Sequence, residues 1–233
     1  MNAASLRIAT YNLQKCVGLD LRRNPRRVLE VLEDTGAQVA VLQEADKRLP
    51  PRPAALPQDM IRAEGWEILP FGGGPSLGWH GNAMLVRPGI GVTLTERLEL
   101  PGIEPRGAIL AELSTPVGPL RLLGAHLGLV ARSRRQQCAA LRHALEGRAP
   151  MPVLIAGDFN AWGSGADLDA ELGPVDLLLS PPSYPAPRPV GRLDRFAIAG
   201  PLRPGPVRVH LEQPARIASD HLPLLVDLYP ARQ

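Results

Sequence analysis

Only two cysteines, Cys16 and Cys138, occur in the 233 residues, in no CxxC or zinc-finger spacing. That excludes a disulfide framework and a thiolate zinc site, and it fits a reducing compartment with free thiols. Lysine is as scarce: Lys15 and Lys47 are the only two, so the formal net charge of +3 rests almost wholly on arginine. A dedicated nucleic-acid binder carries a stronger basic excess with aromatics interleaved for stacking, and that pattern is missing here. The clusters Arg22, Arg23, Arg26, Arg27 and Arg132, Arg134, Arg135 read as solvated helix faces. No apolar run reaches the roughly 18 residues of a membrane span, and Met1 leads into Leu6–Ala9 without a basic, apolar leader pattern. The expectation is a cytoplasmic protein with no integral membrane segment.

Against three residues each of Trp, Tyr and Phe stand 26 prolines and 23 glycines. Such a chain should have many short elements, frequent turns and an aliphatic core of Leu, Val and Ala. Its length suits one domain over residues 1–233 around one core. Leu6–Tyr11 alternates like a strand, and residues 14–24 read as a loop. Asn24 and Pro25 supply an N-cap and first helical residue for a helix that Val28, Leu29 and Leu32 continue until Gly36. Val39–Leu42 reads as a buried strand with Gln43 and Glu44 at its end. A short helix is expected over 58–64, a strand over 66–69, and a surface loop at Gly72–Pro75, which lacks phosphate-loop spacing. Strand patterns follow at 83–86, 91–98, 107–113 and 120–125, an antiparallel block that rules out a purely parallel sheet. A helix over 132–145 and an apolar strand over 153–156 come next. Short strands at 175–179, 192–199, 207–210 and 222–228 then surround a proline-rich loop at 181–189.

Asn12, Glu44, His126, Asp158, Asn160, Asp194, Asp220 and His221 stand at or beside the ends of apolar strands. Strand ends can converge on one edge of a sheet, where a rigid scaffold fixes side chains while loops admit a ligand. Carboxylates gathered there repel one another unless a cation sits among them. Hard oxygen donors with an amide favour Mg²⁺, or Mn²⁺ in its place, over zinc. Singly, each residue has an ordinary structural explanation: Asp158 as a turn cap, His126 as a satisfied buried histidine, Asn12 as the start of an Asx-turn. Together the motifs T-Y-N, L-Q-E, G-N-A, G-A-H-L, G-D-F-N, R-L-D-R-F and S-D-H-L-P, in this order and each joined to a strand, are far more specific.

With these motifs the chain resembles the endonuclease/exonuclease/phosphatase (DNase I-like) superfamily from Leu6 to Leu228. The resemblance implies an α/β (α+β) fold: a four-layer α/β/β/α sandwich of two packed mixed β-sheets. It implies metal binding by Asn12 and Glu44, with Asp220 completing or assisting. Asp158 and Asn160 look like the pair that orients the attacking water and bonds the phosphoryl oxygens. Asp194 resembles the carboxylate that orients His221, and His126 looks like a second catalytic histidine. Arg106 resembles an arginine near that site, and His80 and Asn82 beside the G-N-A motif are assigned to substrate. His143 and His210 are read as ordinary histidines. One departure is Gln14, where the nuclease branch often has an acidic residue; it argues for one metal rather than two. The implied activity is metal-dependent hydrolysis of a phosphodiester by a monomer. Nucleic acid, a phospholipid headgroup and a small phosphodiester all remain open as substrates. A phosphomonoesterase and a catalytically inactive phosphate- or partner-binding protein are the alternatives. The general base is left open among Asp158, a histidine and metal-bound hydroxide.

Overall fold

The computed structural model describes residues 4–47, 49 and 51–231. In chain order its elements are β1 (Leu6–Asn12), α1 (Pro25–Asp34), β2 (Val39–Gln43), α2 (Gln58–Ala63), β3 (Glu67–Ile68), β4 (Ala83–Val86), β5 (Gly91–Leu100), β6 (Arg106–Thr115), β7 (Gly118–His126), α3 (Ala131–Leu145), β8 (Val153–Asp158), α4 (Ala166–Leu172), β9 (Asp176–Leu177), β10 (Asp194–Ala199), β11 (Arg203–Pro204), β12 (Arg208–Val209), α5 (Ala215–Ala218) and β13 (Leu224–Tyr229). One sheet runs β11-β13-β1-β2-β4-β3, with β12 also on β13, and the other runs β5-β6-β7-β8-β10-β9. Both are mixed. β1/β2 and β7/β8 are parallel pairs, and their neighbours are antiparallel.

The sheets face each other across a core that includes Ile8, Val41 and Met84 from one and Ile109, Leu122 and Phe196 from the other. Their approach is close at Gly124, where an added Cβ would meet Val41 Cγ1 at 2.7 Å. The expected single core is in fact three apolar layers, because each sheet also covers its outer face with helices. Outside the first sheet lie Val28, Leu29 and Leu32 of α1 and Ile61 of α2. Outside the second lie Cys138 and Leu141 of α3 and Leu168 and Leu172 of α4. This is the four-layer α+β sandwich, and it buries both faces of the central strands, which accounts for their nearly unbroken apolar runs.

Local signals explain where elements start. The Asn24 side chain accepts a hydrogen bond from Arg27 N at 3.1 Å, capping α1, and Pro25 occupies its first turn. Arg27 corrects the solvated-face expectation: it is buried, with two guanidinium nitrogens 2.9 Å from the Asp20 carboxylate oxygens. α4 was not expected from sequence. Among the described residues, no helix is long and apolar enough to cross a membrane.

Candidate active site

Parallel and antiparallel pairing together bring one end of every central strand to the same edge. β1, β2, β7 and β8 end there, and β4, β6, β10 and β13 begin there. Across the second sheet His126, Asp158 and Asp194 lie side by side in register, so a single cross-strand row holds three of the predicted groups. The glycine before Asp158 is required by this pairing. Gly157 has φ +154°, and a Cβ there would lie 1.9 Å from Ala125 O on the neighbouring strand.

Asp158 is the hub. It is 1% exposed; its Oδ1 accepts from Asn160 N at 2.9 Å and its Oδ2 from Asn12 Nδ2 at 2.9 Å. The same Oδ2 lies 3.5 Å from His126 Nε2 and 3.7 Å from His221 Nε2. The two imidazoles are driven in opposite directions. Burial pushes His126 down to about 4, against a weaker pull from Asp158, so it is neutral. Burial also opposes the charged form of His221, but the Asp194 carboxylate, with Asp158 and Asp220 beyond it, outweighs that and pushes the group up to about 10. Two histidines with separated proton affinities about one carboxylate can act one as an acid and the other as a hydrogen-bonding partner.

The Asp194–His221 pair, 2.8 Å from Oδ2 to Nδ1, is the orienting contact expected from the motifs. Sequence reading missed what supports it. The proline-rich loop brings in Ser183, whose hydroxyl donates to the same Asp194 oxygen, and Tyr184, whose ring lies 4.8 Å from the His221 ring. Trp162, largely exposed, stands edge-on to Tyr184 at 6.1 Å. Prolines mark this loop as a turn but carry no sign of where its serine points.

Glu44 projects from the end of β2 with φ +51°, a left-handed conformation unusual for a long side chain. Its Oε2 is in contact with the Lys15 ammonium, a residue the sequence did not single out. The turn that carries Lys15, Gln14–Cys16, is likewise left-handed, at φ +44°, +56° and +60°. Gln14, noted only as a departure, ties the first motif to the last: its N–H donates to Asn12 Oδ1 at 3.1 Å and its Oε1 accepts from Asp220 N at 3.1 Å. Asp220 is raised above the usual carboxylate range by burial, with the charge of His221 opposing and that of Glu44 adding to the shift. A lysine drawn to one of these carboxylates and mutual repulsion between them mark this corner as one that attracts a cation.

A cavity of about 380 Å³ opens here, lined among others by Lys15, Glu44, His80, Arg106 and His126. Arg106 reaches Glu104 at 2.8 Å, and His80 Nε2 is 3.6 Å from Glu99. Asn160, at φ +49°, uses its Nδ2 on Leu127 O at 2.9 Å. Asn82 is placed differently from its expected substrate role. It is fully buried and its Nδ2 bridges to Gly107 O at 2.9 Å, joining the start of β4 in one sheet to β6 in the other. His143 is on the surface beside Glu146, and His210 is buried away from the row.

Among the described residues, the tightest group of metal-capable atoms is Asp158, Asp194 and His221, within 4.8 Å of one another. In that group an imidazolium already supplies the positive charge. The oxygen donors Glu44, Asn12 and Asp220, where Lys15 meets one carboxylate and His221 only partly offsets the other, fit a hard divalent ion better.

A model of the family described as "Endonuclease/Exonuclease/phosphatase family" matches residues 9–221. The Escherichia coli (strain K12) "Uncharacterized protein YbhP" is 30% identical over 162 residues, which are 65% of this chain. The match spans 64% of that relative's length. The structure of D. rerio TDP2 complexed with single strand DNA product is similar with a TM-score of 0.76 and 18% identity, over 96% of this chain and 98% of that one. The Bacteroides thetaiotaomicron VPI-5482 mannosyl-6-phosphatase Bt3783 is similar with a TM-score of 0.74 and 16% identity, over 96% and 99%. At those identities the two structures attest the fold.

Proposed function

Because the chain belongs to the Endonuclease/Exonuclease/phosphatase family, we propose that it is a divalent-metal-dependent phosphoesterase whose reaction is hydrolysis of a phosphodiester. The observation that carries this reading is the Asp158 carboxylate held by Asn12 and Asn160, with a neutral and a protonated imidazole on either side. Phosphate esters resist hydrolysis because their anionic oxygens repel a nucleophile and the leaving alkoxide is basic. A catalyst must offset that charge and hold water in line. Asp158, fixed by donors on both oxygens, orients the water that forms the new P–O bond and accepts the proton that this water gives up. His221, kept protonated by Asp194, directs an N–H at the phosphoryl group and delivers a proton to the departing oxygen as the old P–O bond breaks. His126 adds a hydrogen bond at the same centre, and Asn160 lines the approach. Mg²⁺ or Mn²⁺ held by Glu44 with Asn12 and Asp220 would supply a Lewis acid that polarises the phosphoryl oxygen.

Hydrolysis of bis-p-nitrophenyl phosphate and p-nitrophenyl phosphate, with Mg²⁺, Mn²⁺ or EDTA, tests this. Turnover of the diester is expected only with metal, and Asp158→Ala and Glu44→Ala each should lower it by about 10³-fold, the scale of acid–base and metal contributions. Preference for the monoester would assign the same site to a phosphatase. No turnover of either compound with any metal, nor of DNA or phospholipid, would leave a phosphate-binding scaffold without catalysis.

A further inference from the structure

Both lysines of this arginine-rich chain, Lys15 and Lys47, line the one cavity beside Glu44 and His126, together with Arg52 and Arg106. Within it the charges are unequally answered. Lys15 is in contact with Glu44, and Arg106 with Glu104. Lys47 and Arg52 have no ion pair and no side-chain hydrogen bond among the described residues. Asp46, the remaining carboxylate of the lining, is turned inward: its oxygens accept from Ser76 Oγ at 2.6 Å and Leu77 N at 2.7 Å. Its charge is therefore spent on backbone and hydroxyl donors, and the cavity wall carries two unanswered cations.

The loop that presents them is built, not loose at its base. Asp46 and Ala54 form a β-bridge, Lys47 N donates to Pro53 O at 2.8 Å, and Ala54 N donates to Pro75 O at 2.7 Å. Arg52 turns at φ +54°, with its N–H on Leu49 O. Both cations line the same cavity, where an anion would meet the two positive charges together. An ammonium and a guanidinium together suit phosphate oxygens, one as a compact point charge and the other as a planar fork.

We infer that Lys47 and Arg52 form a second anion subsite, so that the substrate is a phosphodiester bearing another phosphate beside the scissile one. This deepens the phosphoesterase reading and rests on it. The second phosphate has two chemical sources: a terminal phosphomonoester on a small molecule, or the next internal phosphate of a strand. Both present anionic oxygens to the same pair of cations.

The test is binding, measured by calorimetry in an Asp158→Asn background so that no turnover intervenes. The probes are the dinucleotide TpT, its 5′-phosphorylated form pTpT, and the trinucleotide TpTpT. A second phosphate should tighten binding relative to TpT, and Lys47→Ala with Arg52→Ala should reduce that advantage by about 10- to 100-fold, as lost charge-assisted hydrogen bonds imply. A larger advantage for pTpT identifies a terminal phosphate, and one for TpTpT an internal phosphate; either supports the subsite. Lys47→Glu, a surface change, should repeat the loss if the double variant folds poorly. Unchanged affinity ratios in the variants would overturn the inference. Because this readout needs no catalysis, such a result is distinguishable from failure of the wild type to hydrolyse any ester.

Discussion

Two regions meet at the candidate site of this protein and are made on opposite plans. Along the strand ends, Asn12, His126, Asp158, Asp194 and His221 are all buried and bonded or closely apposed to one another. On the loops that lead to them, Lys47 and Arg52 are exposed and without side-chain partners among the described residues. The first region is tightly bonded: Asn12, Asp158, Asp194 and His221 are each held by a side-chain hydrogen bond, and His126 lies against Asp158. The second keeps its charges unanswered and so can respond to what enters. Under the proposed function, chemistry and selection of substrate would be separated in space, which suits a family whose name spans nucleases and phosphatases.

The contrast is broken most severely at Asp194. Asp194→Asn should lower turnover by about 10²- to 10³-fold, because His221 loses both its orientation and its charge partner. The pH dependence gives a second readout, with a definite sign. A His221 held at about 10, against an ordinary 6.5, contributes stability that is fully present below the ordinary value and is lost as pH rises through about 10. In EDTA, thermal unfolding of the wild type should therefore show declining stability across that window, and Asp194→Asn should flatten the decline. An unchanged pH profile with reduced turnover would assign Asp194 a purely packing role.

Next in size is Gly157→Ala. Its Cβ would overlap a carbonyl of β7 in the middle of the row, so urea unfolding should show a loss of more than about 3 kcal/mol, in the range of severe backbone conflicts. Smallest is Asn82→Ala, which strands the Gly107 carbonyl between the sheets and should cost about 1–3 kcal/mol. Its KM should stay within about twofold of the wild type, since such a change is far below the tenfold that 1.4 kcal/mol of binding represents. A large KM effect with unchanged stability would return Asn82 to the substrate-binding role expected from its motif.

Most strands and α1, α2 and α3 were legible because their signals are local: apolar runs between turns, an Asn-Pro cap, helical spacing. The seven catalytic and metal candidates at strand ends, and Asn160 beside them, were legible as motifs, and pairing brings them to one edge. What escaped lacked any local signature. α4 has seven residues between glycines, too few for a helical period to declare itself. β11, of two residues, exists only through pairing with β13. Ser183 and Tyr184 sit in a segment whose prolines announce only a turn, and their role depends on a contact with β10 and the loop before β13. Asn82 was read for substrate because its motif neighbours the site, and no motif announces the bond its side chain makes to Gly107 O between the sheets.

The row formed by His126, Asp158 and Asp194 across β7, β8 and β10 has a further consequence. Neighbouring strands lie about 4.8 Å apart, so the hydrogen-bond ladder itself sets the pitch of the catalytic groups, as a ruler would. A slip of β10 by one residue against β8 would turn Asp194 to the opposite face while leaving strand content intact. Refolded protein with native circular dichroism but mispaired β10 would then be inert. Under the proposed function, specific activity would accordingly be a gauge of strand alignment, finer than any spectroscopic measure of secondary structure.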